Sequence, residues 1–154
     1  PGEAMQLGDR VAVMRNGRIV QAGRAEDLYH EPVDLFVERM FSEINELPGI
    51  VTDAGLETPF GTFPAPKLSV GDKAVLCVRR RAVWLAKPGQ DGIPGRVLAA
   101  RFRGDLKQLS IGVTGLDQPL VSLVREAGAP AVGDEVKIRV DPAGTLVFPA
   151  EAQE

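Results

Sequence analysis

The stretch EAMQLGDRVAVMRNGRIVQAG, residues 3–23, decides the fold at the start of the chain. Residues 11–14 form an apolar run of strand length, and Ile19 begins a second run. Asn16 and Gly17 stand between the runs, and this pair favours a type I′ turn because both central residues of that turn need a positive φ. The stretch therefore predicts a short amphipathic turn followed by a β-hairpin that ends at Gly23.

The same residues resemble the end of the nucleotide-binding domain in the ATP-binding subunits of ABC importers. In that family a switch histidine is followed by E-A-M-x-L-x-D-R-(I/V)-A-V-M-x-x-G-x-(I/V)-x-Q-x-G. The family-motif residues of this chain, together with the turn asparagine, are Glu3, Ala4, Met5, Leu7, Asp9, Arg10, Val11, Ala12, Val13, Met14, Asn16, Gly17, Ile19, Gln21 and Gly23. The resemblance implies that the switch histidine would precede Pro1 and that the chain is a C-terminal fragment of a longer subunit. The alternative interpretation is an edge hairpin of an unrelated domain.

The composition fits a protein of short strands and turns. Hydrophobic residues make up 44% of the chain, and 17 Gly and 12 Pro interrupt it often. The formal charge of −3 is unfavourable for non-specific nucleic-acid binding, which usually needs a basic chain. No apolar stretch approaches the roughly 20 residues of a membrane helix, so we expect a soluble, cytoplasmic protein. The single cysteine, Cys77, lies in an apolar run and is expected to be a buried residue in a reducing compartment.

Two short helices are predicted after the hairpin. The first covers residues 24–29 and ends before Pro32, because the residue before a proline avoids helical geometry. The second covers residues 33–42, where apolar residues recur at three- and four-residue spacing. His30 is the only histidine, and with no cysteine near it a surface position is expected rather than a metal site. The turn-forming pair Pro48 and Gly49 then suggests a boundary, giving predicted domains of 1–47 and 48–154.

The pattern after residue 50 is that of β-structure, and it contains a repeat. Residues 70–79 and 132–141 both open with Val-Gly-Asp and continue into a strand rich in β-branched residues, and each is followed by a second short apolar strand. About five short strands with glycine punctuation predict a mainly β fold, a small OB-like Greek-key barrel. The repeat suggests that each half of the barrel borrows strands from a distant part of the chain.

This part of the chain is similar to the TOBE domain, the OB-like regulatory module appended to ABC importer ATPases. Relatives show x-G-x-x-V-x-L-x-I-R-P-E, then I-x-G-x-V-x-x-x-x-(F/Y)-x-G-(D/S), then V-G-x-x-V-x-(V/I)-x-(V/I)-x-P, which residues 70–79, 93–105 and 132–142 fit. The Pro-Glu of the first motif is Arg80 and Arg81 here, which reverses the local charge.

The sequence contains none of the motifs that ATP hydrolysis requires. The phosphate-binding G-x-x-x-x-G-K-(S/T) loop and the L-S-G-G-Q signature are both absent. We therefore expect no catalytic residue, no metal and no cofactor in this fragment, while its parent would use ATP and Mg²⁺. A Ser-His-Asp triad is also implausible, since no G-x-S-x-G elbow accompanies His30.

Two basic clusters are candidate contacts for an anion or a partner protein. Strand alternation would place Arg79 and Arg81 on one face, and likewise Arg101 and Arg103. Three interpretations stay open, namely solvated or inter-subunit ion pairs, a small-anion site, and a nucleic-acid surface. Aromatic residues are scarce at 5%, and a surface for single-stranded nucleic acid needs them, so no nucleic-acid partner is expected.

The predicted function follows from the resemblance. The chain would be the C-terminal regulatory and dimerisation region of an ABC importer ATP-binding subunit, with iron(III) import favoured over polyamine, thiamine or sugar import. A homodimer is expected, with membrane permease subunits as partners of the parent at the cytoplasmic face of the inner membrane. The alternative is an OB module that senses a small oxyanion and inhibits transport.

Overall fold

The computed structural model describes residues 10–151, which fall into two compact units. The first unit ends at Glu43 and also takes in residue 151, and the second spans Ile44–Ala150. The predicted amphipathic turn and the motif residues Glu3, Ala4, Met5, Leu7 and Asp9 lie outside the described residues.

The first unit opens with the predicted hairpin. Strand β1 (Val11–Arg15) pairs antiparallel with β2 (Arg18–Gly23). Asn16 and Gly17 have φ values of 53° and 76° in the connecting turn, as a type I′ turn requires. The hairpin prediction is therefore confirmed, and the turn chemistry explains it.

Both predicted helices are present. Helix α1 covers Ala25–His30 and helix α2 covers Leu35–Phe41. The second begins later than predicted because Asp34 caps it, with its Oδ1 accepting from the Val37 N–H at 3.0 Å. His30 is the exposed last residue of α1, as expected. Among the described residues, the buried core of this unit includes Val13, Leu28, Val37 and Phe41.

The second unit contains ten strands in two five-stranded sheets. The strands are β3 (Ile44–Thr52), β4 (Gly55–Thr58), β5 (Gly61–Phe63), β6 (Lys73–Arg79), β7 (Val83–Leu85), β8 (Ile93–Arg103), β9 (Leu106–Val113), β10 (Leu120–Arg125), β11 (Glu135–Val140) and β12 (Thr145–Pro149). Sheet I has the order β12-β6-β3-β4-β5, and sheet II has the order β10-β9-β8-β11-β7. Every pairing is antiparallel, which gives the mainly β, OB-like fold that was predicted.

The strand count was underestimated at about five, and β3 begins earlier than residue 50. Pro48 and Gly49, interpreted as a boundary, lie inside β3. Over residues 44–50 this strand pairs only with β6, so the proline nitrogen can face the unpaired edge without removing a ladder hydrogen bond. Pro94 occupies the matching position in β8, opposite Lys137 of β11.

Strands β3–β7 and β8–β12 are two copies of one arrangement. Val51 donates its N–H to the Asp72 carbonyl at 2.9 Å, and Val97 donates to the Asp134 carbonyl at 3.0 Å. In both copies the Val-Gly-Asp turn is closed by the aspartate side chain, which accepts a backbone N–H three residues earlier in the sequence at 2.8 and 2.9 Å. The sequence repeat is thus a structural repeat.

The two copies exchange their last strands. Strand β12 of the second copy pairs with β6 of the first, and β7 of the first pairs with β11 of the second. This confirms the expectation that each half borrows strands from a distant part of the chain. The exchange places both copies around one core, whose fully buried members include Leu56, Leu76, Val83, Leu109 and Ile138.

Candidate functional site

Two short 3₁₀ turns carry the chain from one sheet to the other. Arg80–Ala82 leads from β6 into β7, and Pro142–Gly144 leads from β11 into β12. The Ala82 carbonyl accepts the Asp141 N–H at 2.9 Å, and a Cβ on Gly144 would overlap the Cβ of Ala82. The alternation assumed for Arg79 and Arg81 was wrong, because β6 ends at Arg79 and the chain turns there.

Strands β7 and β10 are the two end strands of sheet II. Side-chain hydrogen bonds connect β10 to β7 and to β3. The buried Ser122 hydroxyl donates to the Val83 carbonyl at 2.7 Å. The Asn45 amide of β3 donates to the Val121 carbonyl at 2.9 Å and accepts the Val121 N–H at 2.7 Å. These bonds stand where a further strand would otherwise satisfy the edge of β10.

A cleft of about 890 Å³ lies along β7 and β10, bounded by the loops that follow them. Its floor is largely apolar and includes Leu85, Leu106, Leu123 and Val124, all partly buried. The volume falls within the range of small-molecule pockets. We call it the seam cleft.

Four cations line the seam cleft, each from a different segment of the chain. They are Arg81 of the first 3₁₀ turn, Lys87 after β7, Arg125 at the end of β10 and Arg139 of β11. No Asp or Glu is among the described residues that line it. Within residues 10–151 none of the four side chains forms an ion pair.

Trp84 presents an aromatic surface to the same cleft. Its indole N–H donates to the Arg81 carbonyl at 3.1 Å, which fixes the ring, and the residue remains 51% exposed. Arg139 lies directly opposite Trp84 in the β11–β7 pairing. The Trp84 side chain, held by its hydrogen bond, therefore lies beside Arg139 at the edge of the cleft.

A second cleft, of about 1000 Å³, has a mixed lining and a different electrostatic character. Lys87, Arg96 and Lys137 line it together with Asp134 and Glu135. Arg96 Nη2 lies 3.0 Å from Glu135 Oε1, and both side chains are well exposed. Because its cations have carboxylate neighbours, this cleft favours an anion less than the seam cleft does.

The four predicted anion contacts do not form one site. Arg81 lines the seam cleft, whereas Arg79 ends β6 and Arg101 and Arg103 lie exposed on β8. The Gln108 Oε1 atom accepts from Arg103 Nη1 at 3.2 Å and from Arg80 Nη1 at 3.4 Å.

Sequence reasoning missed Trp84, Lys87, Arg125 and Arg139. The sequence contained one weak indication of this site, because Arg139 lies in one Val-Gly-Asp repeat and Trp84 follows the other. Only the exchange of strands between the repeats brings these two positions opposite each other.

Among the motif residues that the structure describes, several shape the hairpin and the segment after it. Arg10 is exposed, and Asn16 and Gly17 form the hairpin turn. Gly23 ends β2, where an added Cβ would lie 3.4 Å from Leu28 Cδ1. Gln21 ties the next segment to the hairpin, because its Nε2 donates to the Glu31 carbonyl at 3.0 Å and its Oε1 accepts the Val33 N–H at 2.8 Å.

Two other kinds of site are missing from the described part of the chain. Residues 10–151 contain no group of three or more His, Cys, Asp or Glu side chains placed to hold a metal ion. None of their helices has both the length and the apolar character needed to cross a bilayer.

These features define an OB-like β-module built from two interleaved copies, and the family comparison agrees. Residues 76–148 match the model of the TOBE domain. The chain is 32% identical over 147 residues to the Fe(3+) ions import ATP-binding protein FbpC of Streptomyces coelicolor, an alignment that covers 96% of this chain and 42% of that protein. It is 30% identical over 143 residues to the spermidine/putrescine import ATP-binding protein PotA of Acetivibrio thermocellus, covering 91% of this chain and 40% of that one.

The resemblance inferred from residues 3–23 and from the repeat motifs is therefore confirmed. The chain spans less than half the length of these relatives.

A solved structure supports the fold. The cytoplasmic molybdate-binding protein ModG, in a form with molybdate bound, superposes with a TM-score of 0.57 at 13% identity, over 69% of this chain and 96% of that one. At that level of identity the likeness concerns the fold alone.

Proposed function

We propose that this chain is the C-terminal regulatory and dimerisation region of the ATP-binding subunit of an ABC importer. One observation carries the proposal, the alignment with an Fe(3+) import ATP-binding protein across 96% of the chain, which includes both structural units. In this proposal the parent couples ATP hydrolysis to solute uptake, and ATP and Mg²⁺ are bound by its other parts. The parent acts with membrane permease subunits at the cytoplasmic face of the inner membrane.

The transported solute is proposed to be iron(III). The test is uptake of labelled iron(III), spermidine and glucose by cells in which the full-length parent gene is deleted and then restored. Loss of iron uptake alone, with recovery on restoration, is the expected result. Loss of spermidine or glucose uptake with normal iron uptake would contradict the iron assignment but keep the importer assignment.

The homodimer is proposed to form through strand β8. Residues 93–96 of β8 pair with β11, but residues 98–103 extend past it, and among the described residues no strand covers their outer edge. Leu98 and Phe102 on this segment are 52% and 70% exposed. An open edge with apolar side chains is a ready surface for pairing with another strand.

The sequence of β8 suits pairing with a second copy of itself. An antiparallel pair centred on Ala100 places Leu98 opposite Phe102 and Arg101 opposite Ala99. A centre at Arg101 would instead oppose two arginines, which is destabilising. The proposed dimer is therefore centred on Ala100. Met14 and Ile19, exposed and opposite each other on the β1–β2 hairpin, offer a second apolar surface.

A second candidate function is sensing of an anion, and the seam cleft is the observation that favours it. Four cations that form no ion pair within residues 10–151 line one cleft. Calorimetric titration with molybdate, sulfate, phosphate and iron chelates tests it. A saturating heat signal with one of them supports sensing, whereas silent titrations of a dimeric protein support a purely structural role.

A further inference from the structure

We propose that the seam cleft binds an organic polyanion with a planar or apolar body, such as a nucleoside diphosphate, rather than a bare oxyanion. This rests on the second candidate function, because it takes the cleft to be a ligand site.

The distribution of charge argues for an extended ligand. Arg81, Lys87, Arg125 and Arg139 come from four different segments of the chain and line a cleft of about 890 Å³. A single tetrahedral anion would contact only some of them, and exposed cations bind such an ion weakly because water screens the interaction. An anion with several charged groups along its length can contact cations from more than one of these segments at once.

The lining argues for a planar or apolar body. Leu85, Leu123 and Val124 would stay in contact with water beneath a small hydrated ion, whereas an organic body would cover them. Trp84 is held by its hydrogen bond to the Arg81 carbonyl with about half of its surface exposed, so a planar ring can stack on it without reordering the side chain. Arg139, opposite Trp84, stands where a charged group beside that ring would lie.

Trp84 also supplies the assay, because it is the only tryptophan of the chain. Its fluorescence therefore reports on this cleft alone. The chain is titrated with adenosine diphosphate, with pyrophosphate and adenosine as the two halves of that ligand, and with molybdate as the bare oxyanion. We expect saturable quenching by the diphosphate with an affinity about tenfold or more above that of either half, since the charged bonds and the stacking act together.

Arg139→Gln and Arg125→Gln should each weaken binding about tenfold, because each removes a charged hydrogen-bond donor. Lys73→Gln is the control, since Lys73 of β6 is an exposed cation of the same unit that does not line the cleft. It should leave the affinity unchanged. Raising the salt concentration from about 50 to about 200 mM should weaken binding of the diphosphate and leave any adenosine signal unaffected.

The outcomes separate the inference from the function on which it rests. Quenching by molybdate that Arg139→Gln abolishes, without a response to the diphosphate, would overturn the organic ligand and keep the sensing function. Equal affinities for the diphosphate and pyrophosphate would overturn the role of Trp84. No response to any probe in fluorescence or calorimetry would overturn the inference together with anion sensing, and would leave the importer assignment intact.

Discussion

The side-chain amide of Asn45 hydrogen-bonds both backbone polar groups of Val121. Its Nδ2 donates to the Val121 carbonyl at 2.9 Å, and its Oδ1 accepts the Val121 N–H at 2.7 Å. The same Nδ2 lies 3.3 Å from the Val78 carbonyl, and Asn45 is buried. One side chain on β3 of sheet I thus performs, for one residue of β10 in sheet II, the pairing that a neighbouring strand would provide.

Replacing this asparagine should destabilise the barrel. Asn45→Ala leaves the Val121 N–H and carbonyl without these partners in a part-buried setting, at a cost of about 3 kcal/mol. Chemical denaturation measures this loss in the free energy of unfolding. Asp91 is the matched control, because it is exposed and precedes Ile93 by two residues, as Asn45 precedes Leu47 in the other repeat. Asp91→Ala should change the free energy of unfolding by less than about 0.5 kcal/mol. Equal effects at the two positions would show that the pairing contributes nothing specific.

The bond between β10 and β7 gives a second prediction. Ser122→Ala removes the hydroxyl that donates to the Val83 carbonyl, and the buried carbonyl then lacks this partner. We therefore expect the free energy of unfolding to fall by about 1–2 kcal/mol. Ser110→Ala is the control, because within residues 10–151 the half-buried Ser110 hydroxyl forms no hydrogen bond. Thermal unfolding compares the two. Identical midpoints would mean that the bond does not stabilise the junction.

The contact between the two 3₁₀ turns, Arg80–Ala82 and Pro142–Gly144, gives a third prediction. Gly144→Ala would force its new Cβ against that of Ala82, which should cost about 1–3 kcal/mol. Ala82→Gly removes the obstructing atom. Gly144→Ala should therefore cost less in an Ala82→Gly background than in the native chain. Additive effects in this double-mutant cycle would contradict the close approach of the two turns.

The register proposed for the β8 dimer can be tested by cross-linking. In a pair centred on Ala100 the two copies of this residue face each other, about 4.5–5.5 Å apart at Cα, which a disulfide can bridge. Ala100→Cys should give an oxidised dimer on a non-reducing gel. Arg101→Cys should not, because its two copies would be diagonal neighbours about 7–8 Å apart.

Native Cys77 is buried and should not react, so the unmodified chain serves as the background control. Cross-linking at Arg101→Cys but not at Ala100→Cys would contradict the proposed register. A monomer at high concentration by light scattering would contradict the dimer itself.

Local chemistry made part of the fold predictable. Asn16 and Gly17 carry their own turn geometry, and the repeated Val-Gly-Asp turns are closed by their own aspartates, so both could be identified without tertiary information. The same repeat indicated that strands are shared between the halves, which the pairing of β6 with β12 confirms.

The remainder depended on non-local pairing. Pro48 and Gly49 resemble a break in any local window, and only the one-sided pairing of β3 shows why a strand tolerates them. The arginine run at Arg80 resembles the continuation of a strand, although the chain changes sheet there. The seam cleft could not be predicted because its residues come from elements that are distant in sequence, and Trp84 meets Arg139 only through the exchange of strands.

That exchange has a kinetic and thermodynamic consequence. If the halves were separate molecules, swapping β7 and β12 would be a bimolecular association that dilution would reverse. Residues 86–92 join the halves covalently, which sets a high effective concentration for the swap and makes it independent of protein concentration. Since neither half holds a complete sheet of its own, cleavage within that connection should turn a unimolecular folding reaction into the reassembly of two interdependent fragments.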